Sequence, residues 1–256
     1  MVMSKVLTIS GQKGGSGKSV TAVNLAACLS LYEKKTLLID CDPQGSTTEW
    51  SGIKAMGYPF NLSSVLSGKA TIIQAIVKTD FHYLDMLPAG FDLFEVALKL
   101  AGTVSNEKIL RLLLEDIEQE YDYIIIDAPS SYGFLSVAAL TAADWLVIAM
   151  STRHNAVEDF HCLLKLIKYI RHTHKNFLKI ASILFNRCKT DAEIDQFLAD
   201  QNLSEIKDLI CPTFIPEDEA VKNAIDKKIP LVLYDIKSPA SSAYLRFAKE
   251  MVLVFK

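Results

Sequence analysis

Three glycines in four positions, Gly14, Gly15 and Gly17, lie between two lysines in the segment Lys13-Gly14-Gly15-Ser16-Gly17-Lys18-Ser19. The segment follows an apolar run at residues 6–9 and opens an alanine-rich stretch at residues 21–31. The run has the character of a buried strand, and the stretch that of a helix. A chain that passes from strand through glycine loop to helix so quickly aims backbone N–H groups and the positive helix end at one point. Such a cradle fits a triphosphate. Lys18 would reach the β- and γ-phosphate oxygens, and the Ser19 hydroxyl would ligate Mg²⁺.

The remaining sequence supplies a frame for that loop. Apolar runs alternate with amphipathic stretches, which argues for an α/β fold: a mostly parallel twisted sheet of about seven or eight strands with helices on both faces. Strands are expected over residues 5–10, 35–40, 82–88, 123–127, 145–150, 178–185 and 209–214. Helices are expected over residues 19–32, 70–78, 91–101, 106–120, 134–142, 156–173, 191–200 and 241–254. Residues 44–67 are rich in Gly and Ser without clear period and read as loop with short helices. No repeat or low-complexity linker interrupts the 256 residues, so residues 1–256 are expected to form a single domain.

Charge and cysteine usage narrow the partners. The net charge is only -3, so contact with DNA or anionic lipid must come from a local patch. Cys28, Cys41, Cys162, Cys188 and Cys211 are dispersed, with no Cys-x-x-Cys pair, and read as free thiols in a reducing cytoplasm. No apolar run approaches the length of a membrane span.

Carboxylates recur at strand ends, where an open α/β sheet faces its ligand. The second expected strand ends in Asp40-Cys41-Asp42-Pro43-Gln44-Gly45. Two aspartates one residue apart point the same way if the strand continues, which suits metal and water handling. The same string also reads as an Asp-Pro turn. Asp127 closes the apolar run Tyr123-Ile124-Ile125-Ile126 in the form of a Walker-B aspartate, which holds Mg²⁺ through water beside Ser19. Asn186-Arg187 and Ile215-Pro216-Glu217-Asp218 follow two further strands. An Asn amide can pair with a donor and an acceptor on a base edge, though a plain strand-end Asn and loop Pro fit as well.

The loop has Gln12 where a strict P-loop has another glycine, and Lys13 comes too early to share the task of Lys18. In this it resembles the deviant P-loop of the ParA/MinD family of ATPases. The segments Leu231-Val232-Leu233-Tyr234-Asp235-Ile236-Lys237-Ser238 and Ala243-Tyr244-Leu245 resemble the chromosomal ParA/Soj partition branch, and the matches run from Lys5 to about Met251. The resemblance implies a homodimer formed with ATP and Mg²⁺, in which Lys13 crosses to the partner's phosphates. It implies that Asp42 positions the attacking water, that Asp40 supports the Mg²⁺ shell, and that Asn186 and the loop at Pro216, Glu217 and Asp218 frame the adenine. The family usually reads Asp-x-Pro-Pro where this chain has Asp127-Ala128-Pro129-Ser130. A looser γ-phosphate-sensing loop and slow, partner-stimulated hydrolysis are therefore expected.

The resemblance further implies non-specific DNA binding, a ParB-like or cargo-adaptor activator, and a cytoplasmic, nucleoid-associated protein that partitions chromosome, plasmid or other cargo. Lys165, Lys168, Arg171, Lys175, Lys179, Arg187 and Lys189 are the candidate basic residues, and a solvated helix face is the plain alternative. Glu217, Asp218 and Glu219 stand where relatives often carry Arg, and would repel phosphate at that edge. No membrane role is expected, since the last helix lacks the Lys/Arg-rich polar face of a lipid anchor. Two other functions stay open: an ATPase positioning a protein cargo without a centromere partner, and an ATP-coupled metallocluster protein.

Overall fold

The computed structural model describes residues 3–11, 14–53, 58–102, 106–152, 156–173, 177–201 and 203–255. Lys13 and Lys175 lie outside them.

The chain begins with β1 (Lys5–Gly11), α1 (Lys18–Leu31), β2 (Thr36–Asp40), α2 (Ser46–Trp50), α3 (Leu62–Leu66) and α4 (Ile72–Ala75). It continues through β3 (Val77–Lys78), β4 (Leu84–Leu87), α5 (Leu93–Ala101), α6 (Ile109–Glu115), β5 (Tyr123–Asp127) and α7 (Phe134–Ala142). The second half holds β6 (Trp145–Met150), α8 (Ala156–Thr173), β7 (Lys179–Cys188), α9 (Asp191–Asp200), β8 (Ile215–Pro216), α10 (Glu219–Asp226), α11 (Leu231–Tyr234) and α12 (Pro239–Val254).

The eight strands form one sheet in the order β3-β4-β2-β5-β1-β6-β7-β8, parallel except for β3. Successive residues of the central strands feed opposite faces, as the pleat requires. Val6, Leu37, Ile39, Ile124, Ile126 and Ile148 join the core beneath α5 to α9. Leu7, Leu38, Ile125, Val147 and Ala149 pack on the other face with α1, α11 and α12. Both faces are covered, which explains the near-continuous apolar strands. The chain winds one way from β1 to β2 and β4, returns at β5, and then winds the other way through β6, β7 and β8. The carboxyl ends of β1, β2 and β5 therefore meet where the winding reverses, the place an open α/β sheet offers a ligand.

Four expectations are corrected. Residues 209–214 do not form a strand: Ile210 makes one bridge to Ile183, and the edge strand is Ile215–Pro216. A 3₁₀ turn at Ser204–Leu209 and the missing N–H of Pro212 interrupt pairing there. Residues 70–78 give only the short α4, started by a Thr71–Gln74 capping box, before the β-branched pair Ile76-Val77 turns extended into β3. Residues 106–120 split into a 3₁₀ turn at Asn106–Lys108 and the shorter α6. The acidic run after Pro216, read as a loop, starts α10: Asp218 Oδ1 accepts from the Ala220 N–H at 2.9 Å, and Glu219 lies in the first turn. Carboxylates at that end are stabilised by the helix dipole.

The last helix packs inward. Pro239 stands at its first turn and the Ser238 hydroxyl accepts from the Ser241 N–H at 3.1 Å. Its buried residues include Ala240, Ala243, Tyr244, Phe247, Ala248 and Met251. Among the described residues, no helix is long and apolar enough to cross a membrane.

Candidate nucleotide site

Two glycines set the path between β1 and α1. A Cβ on Gly11 would lie 2.1 Å from the Ala149 carbonyl oxygen, so β1 can run this close to β6 only without a side chain. Gly17, at φ 87°, caps α1 in the left-handed region and turns the chain onto the helix. Gly14 and Gly15 are exposed, whereas Ser16 and Lys18 are buried. The loop thus lays its backbone at the surface and sends Lys18 inward.

Lys18 Nζ donates to Ser130 Oγ at 3.0 Å. Burial lowers the lysine's pKa, opposed by the nearby carboxylates of Asp127, Asp42 and Asp159. Register pairing sets Asp40 opposite Asp127 at the carboxyl ends of β2 and β5, and both are fully buried. Burial raises the pKa of both carboxyls, and their mutual repulsion adds to the rise at Asp40.

The two aspartates are engaged differently. Asp40 Oδ2 accepts from the Thr48 N–H at 2.7 Å and the Thr48 hydroxyl at 2.8 Å, and Oδ1 accepts from the Asp42 N–H at 3.0 Å. These three bonds, two from backbone N–H groups and one from a hydroxyl, fix the turn that carries Asp42 and engage both oxygens of Asp40. Asp127 Oδ2 accepts from the Thr47 hydroxyl at 2.6 Å, while Oδ1 is buried with no hydrogen-bond partner among the described residues. The Ser19 hydroxyl faces the same carboxylate and lowers its pKa. A buried acceptor without a donor, beside a hydroxyl at the start of a helix, fits a hydrated divalent cation. Among the described residues no group of three or more His, Cys, Asp and Glu could hold a metal by itself. Mg²⁺ keeps several waters and phosphate oxygens in its shell, so one hydroxyl and one carboxylate are enough protein groups for it. Asp42, half-buried at the loop, accepts from the Gln44 N–H through Oδ1 at 3.0 Å.

Beside the loop lies a cleft of about 460 Å³, lined by Gly17, Val20, Asn186, Pro216, Glu217 and Tyr244 among others. Asp218 also lines it. The residues named from sequence as a base-binding frame are thus brought together, but two have structural duties. Asn186 Nδ2 donates to the Ser16 carbonyl at 3.0 Å, and Oδ1 accepts from the Tyr244 hydroxyl at 3.5 Å. Asp218 Oδ2 accepts from the Ala240 N–H at 3.0 Å, tying α10 to α12. Sequence reading missed Thr47 and Thr48; it named Ser130 and Tyr244 for their resemblance alone, without their contacts to Lys18 and Asn186. The threonines sit inside the stretch read as aperiodic loop, although a Gly45-Ser46-Thr47-Thr48 helix start could have flagged them.

A family profile described as an AAA domain matches residues 4–180. The sporulation initiation inhibitor protein Soj of Bacillus subtilis is 34% identical over 249 residues, covering 97% of this chain and 98% of Soj. The chain belongs to the ParA/Soj family. The chromosome partitioning protein ParA of Caulobacter vibrioides agrees, at 34% identity over 250 residues, with 97% of this chain and 94% of the relative covered. Among solved structures, cobyrinic acid a,c-diamide synthase of Mycobacterium smegmatis with bound ADP and magnesium superposes with a TM-score of 0.83 and 26% identity, covering 99% of this chain and 96% of that one. The ParA/Soj architecture is thus shared with a synthase, so fold alone does not decide the reaction.

Among the described candidate basic residues of this ParA/Soj chain, Lys179 and Arg187 lie near opposite ends of β7. Arg171 Nε donates to the Leu178 carbonyl at 2.8 Å, and Lys179 Nζ lies 5.1 Å from the Trp145 ring centre at the start of β7. Arg187 stands near the other end of that ten-residue strand, eight residues on and roughly 26 Å away at 3.3 Å per residue. Lys165, Lys168 and Lys189 are exposed.

Proposed function

We propose that this chain is an ATP-driven switch that hydrolyses ATP slowly to ADP and phosphate and positions a cargo on DNA. The observation carrying this reading is the convergence of Lys18, Ser19 and Asp127 at the start of α1, with the cleft of Asn186 and Pro216 beside it. The loop N–H groups and Lys18 would hold the phosphates, and the cleft would take the base. Ser19 and Asp127 would hold Mg²⁺, which supplies charge neutralisation at the β- and γ-phosphate oxygens. Asp42, free of the bonds that occupy Asp40, would orient the attacking water. Lys13, outside the described residues, would reach the partner's nucleotide and make pairing depend on the γ-phosphate. The names Soj and ParA support chromosome or plasmid partition, with DNA bound through exposed lysines and an activator of ParB or cargo-adaptor type. The whole chain would act as one ATPase domain.

One experiment tests these claims together: light scattering and DNA binding with ADP, ATP and a non-hydrolysable analogue, on wild type, Lys13→Gln and Asp42→Ala. The expected results are dimers and salt-sensitive DNA binding only with ATP or the analogue, no dimer for Lys13→Gln, and a stable ATP dimer without turnover for Asp42→Ala. Equal DNA affinity with ADP and ATP would overturn the switch. Wild-type turnover by Asp42→Ala would remove its role.

A further inference from the structure

Ser130 is the residue that departs from the family's usual second proline, and it is also the hydroxyl on which Lys18 rests. Lys18 is buried, and the loop after Asp127 brings Ser130 Oγ to 3.0 Å from its ammonium. A proline at this position would offer no side-chain acceptor. The same loop leads into α7, whose first turn is tied back to it: the Ser136 hydroxyl donates to the Ser131 carbonyl. Tyr132 anchors the loop to α8, its hydroxyl donating to the Asp159 carbonyl at 2.7 Å. The lysine expected to bind the terminal phosphates is therefore hydrogen-bonded to a segment that touches two helices.

We propose that Ser130 is a positioning residue that holds the Lys18 ammonium in the nucleotide-free protein and releases it to the phosphates, so that occupancy of the loop is felt at α7. The inference rests on the nucleotide-binding reading given above. A charged donor exchanges one acceptor for another: the Lys18–Ser130 bond breaks as Lys18–phosphate bonds form, and the serine hydroxyl becomes available as a donor toward the γ-phosphate or its water. The exchange subtracts from nucleotide affinity and couples it to the state of residues 128–137.

The test compares wild type, Ser130→Ala, Ser130→Thr and Lys18→Ala by calorimetric binding of Mg·ADP and by hydrogen exchange across residues 128–137. Ser130→Ala should bind Mg·ADP about five-fold more tightly, the scale of one net hydrogen bond. Ser130→Thr, which keeps the hydroxyl, should match wild type. In wild type, Mg·ADP should speed exchange in residues 128–137; in Ser130→Ala the empty protein should already exchange at that faster rate. A merely structural serine would change stability without this nucleotide-like exchange pattern. If Ser130→Ala binds Mg·ADP like wild type and keeps the slow exchange of the empty loop, the inference fails. If wild type binds no nucleotide, or Lys18→Ala binds as well as wild type, the nucleotide-binding reading itself fails.

Discussion

The Asn186 side chain closes over Gly17. A Cβ on Gly17 would lie 3.0 Å from the Asn186 amide carbon, while Asn186 Nδ2 donates to the neighbouring Ser16 carbonyl at 3.0 Å. The end of β7 thus holds the phosphate loop from the side, and the loop's third glycine is required by both its backbone angle and this contact. Gly17→Ala should therefore weaken Mg·ATP binding by more than about ten-fold, through left-handed strain and displacement of Asn186. Isothermal calorimetry on the folded variant, verified by circular dichroism, checks this.

Asn186→Ala separates two roles for the amide. If its task is to hold the loop, the variant should lose about 1–2 kcal/mol of stability and bind ATP and GTP more weakly by the same factor. A changed ATP-to-GTP preference would instead assign the amide to the base. Chemical denaturation and competition binding read the two effects.

The paired carboxylates make the empty protein sensitive to pH. Burial raises the pKa of both Asp40 and Asp127 above the unfolded values. A carboxyl whose pKa is higher in the folded state stabilises the fold below its unfolded pKa, and that stability is lost as pH rises through the folded value. The metal-free protein should thus lose stability as pH rises from about 4 to about 7, through the folded values of about 6 for Asp127 and about 7 for Asp40. Asp127→Asn, which removes one charge of the pair, should flatten that slope and be more stable than wild type near pH 8, by about 1 kcal/mol or more. The same variant should lose the Mg²⁺ dependence of nucleotide binding. Urea denaturation at several pH values, with and without Mg·ADP, measures both.

Asp218→Ala should cost about 2 kcal/mol without abolishing the fold. The carboxylate accepts from Ala220 at the start of α10 and from Ala240 at the start of α12. Asp218→Asn should lose less, because its one side-chain oxygen can still cap α10. Thermal melts of the two variants give the order.

Much of the site was legible because it is local. The phosphate loop, its strand and its helix are contiguous, and the glycine spacing, the alanine-rich helix and the apolar strand point to the same conformation. Asp127 could be read from the apolar run it ends. The weak readings came where short segments depend on distant partners. Residues 209–214 have strand-like composition, yet pairing stops at one bridge because a 3₁₀ turn and Pro212 set the backbone. Glu217, Asp218 and Glu219 read as a repulsive acidic loop, whereas the free N–H groups at the start of α10 give that charge a favourable place.

The sequence by itself determined the phosphate cradle, the alternation of strands and helices, and the carboxylates at strand ends, because each is encoded in neighbouring residues or a short period. Only the tertiary structure decided which of those groups are spoken for. Asp40 is consumed by Thr48 and the Asp42 N–H, while one oxygen of Asp127 has no hydrogen-bond partner among the described residues, and Asn186 reaches back 170 residues to Ser16. The physical reason is that a buried polar atom must find its partner wherever the packed sheet places one, and that placement has no trace in local sequence.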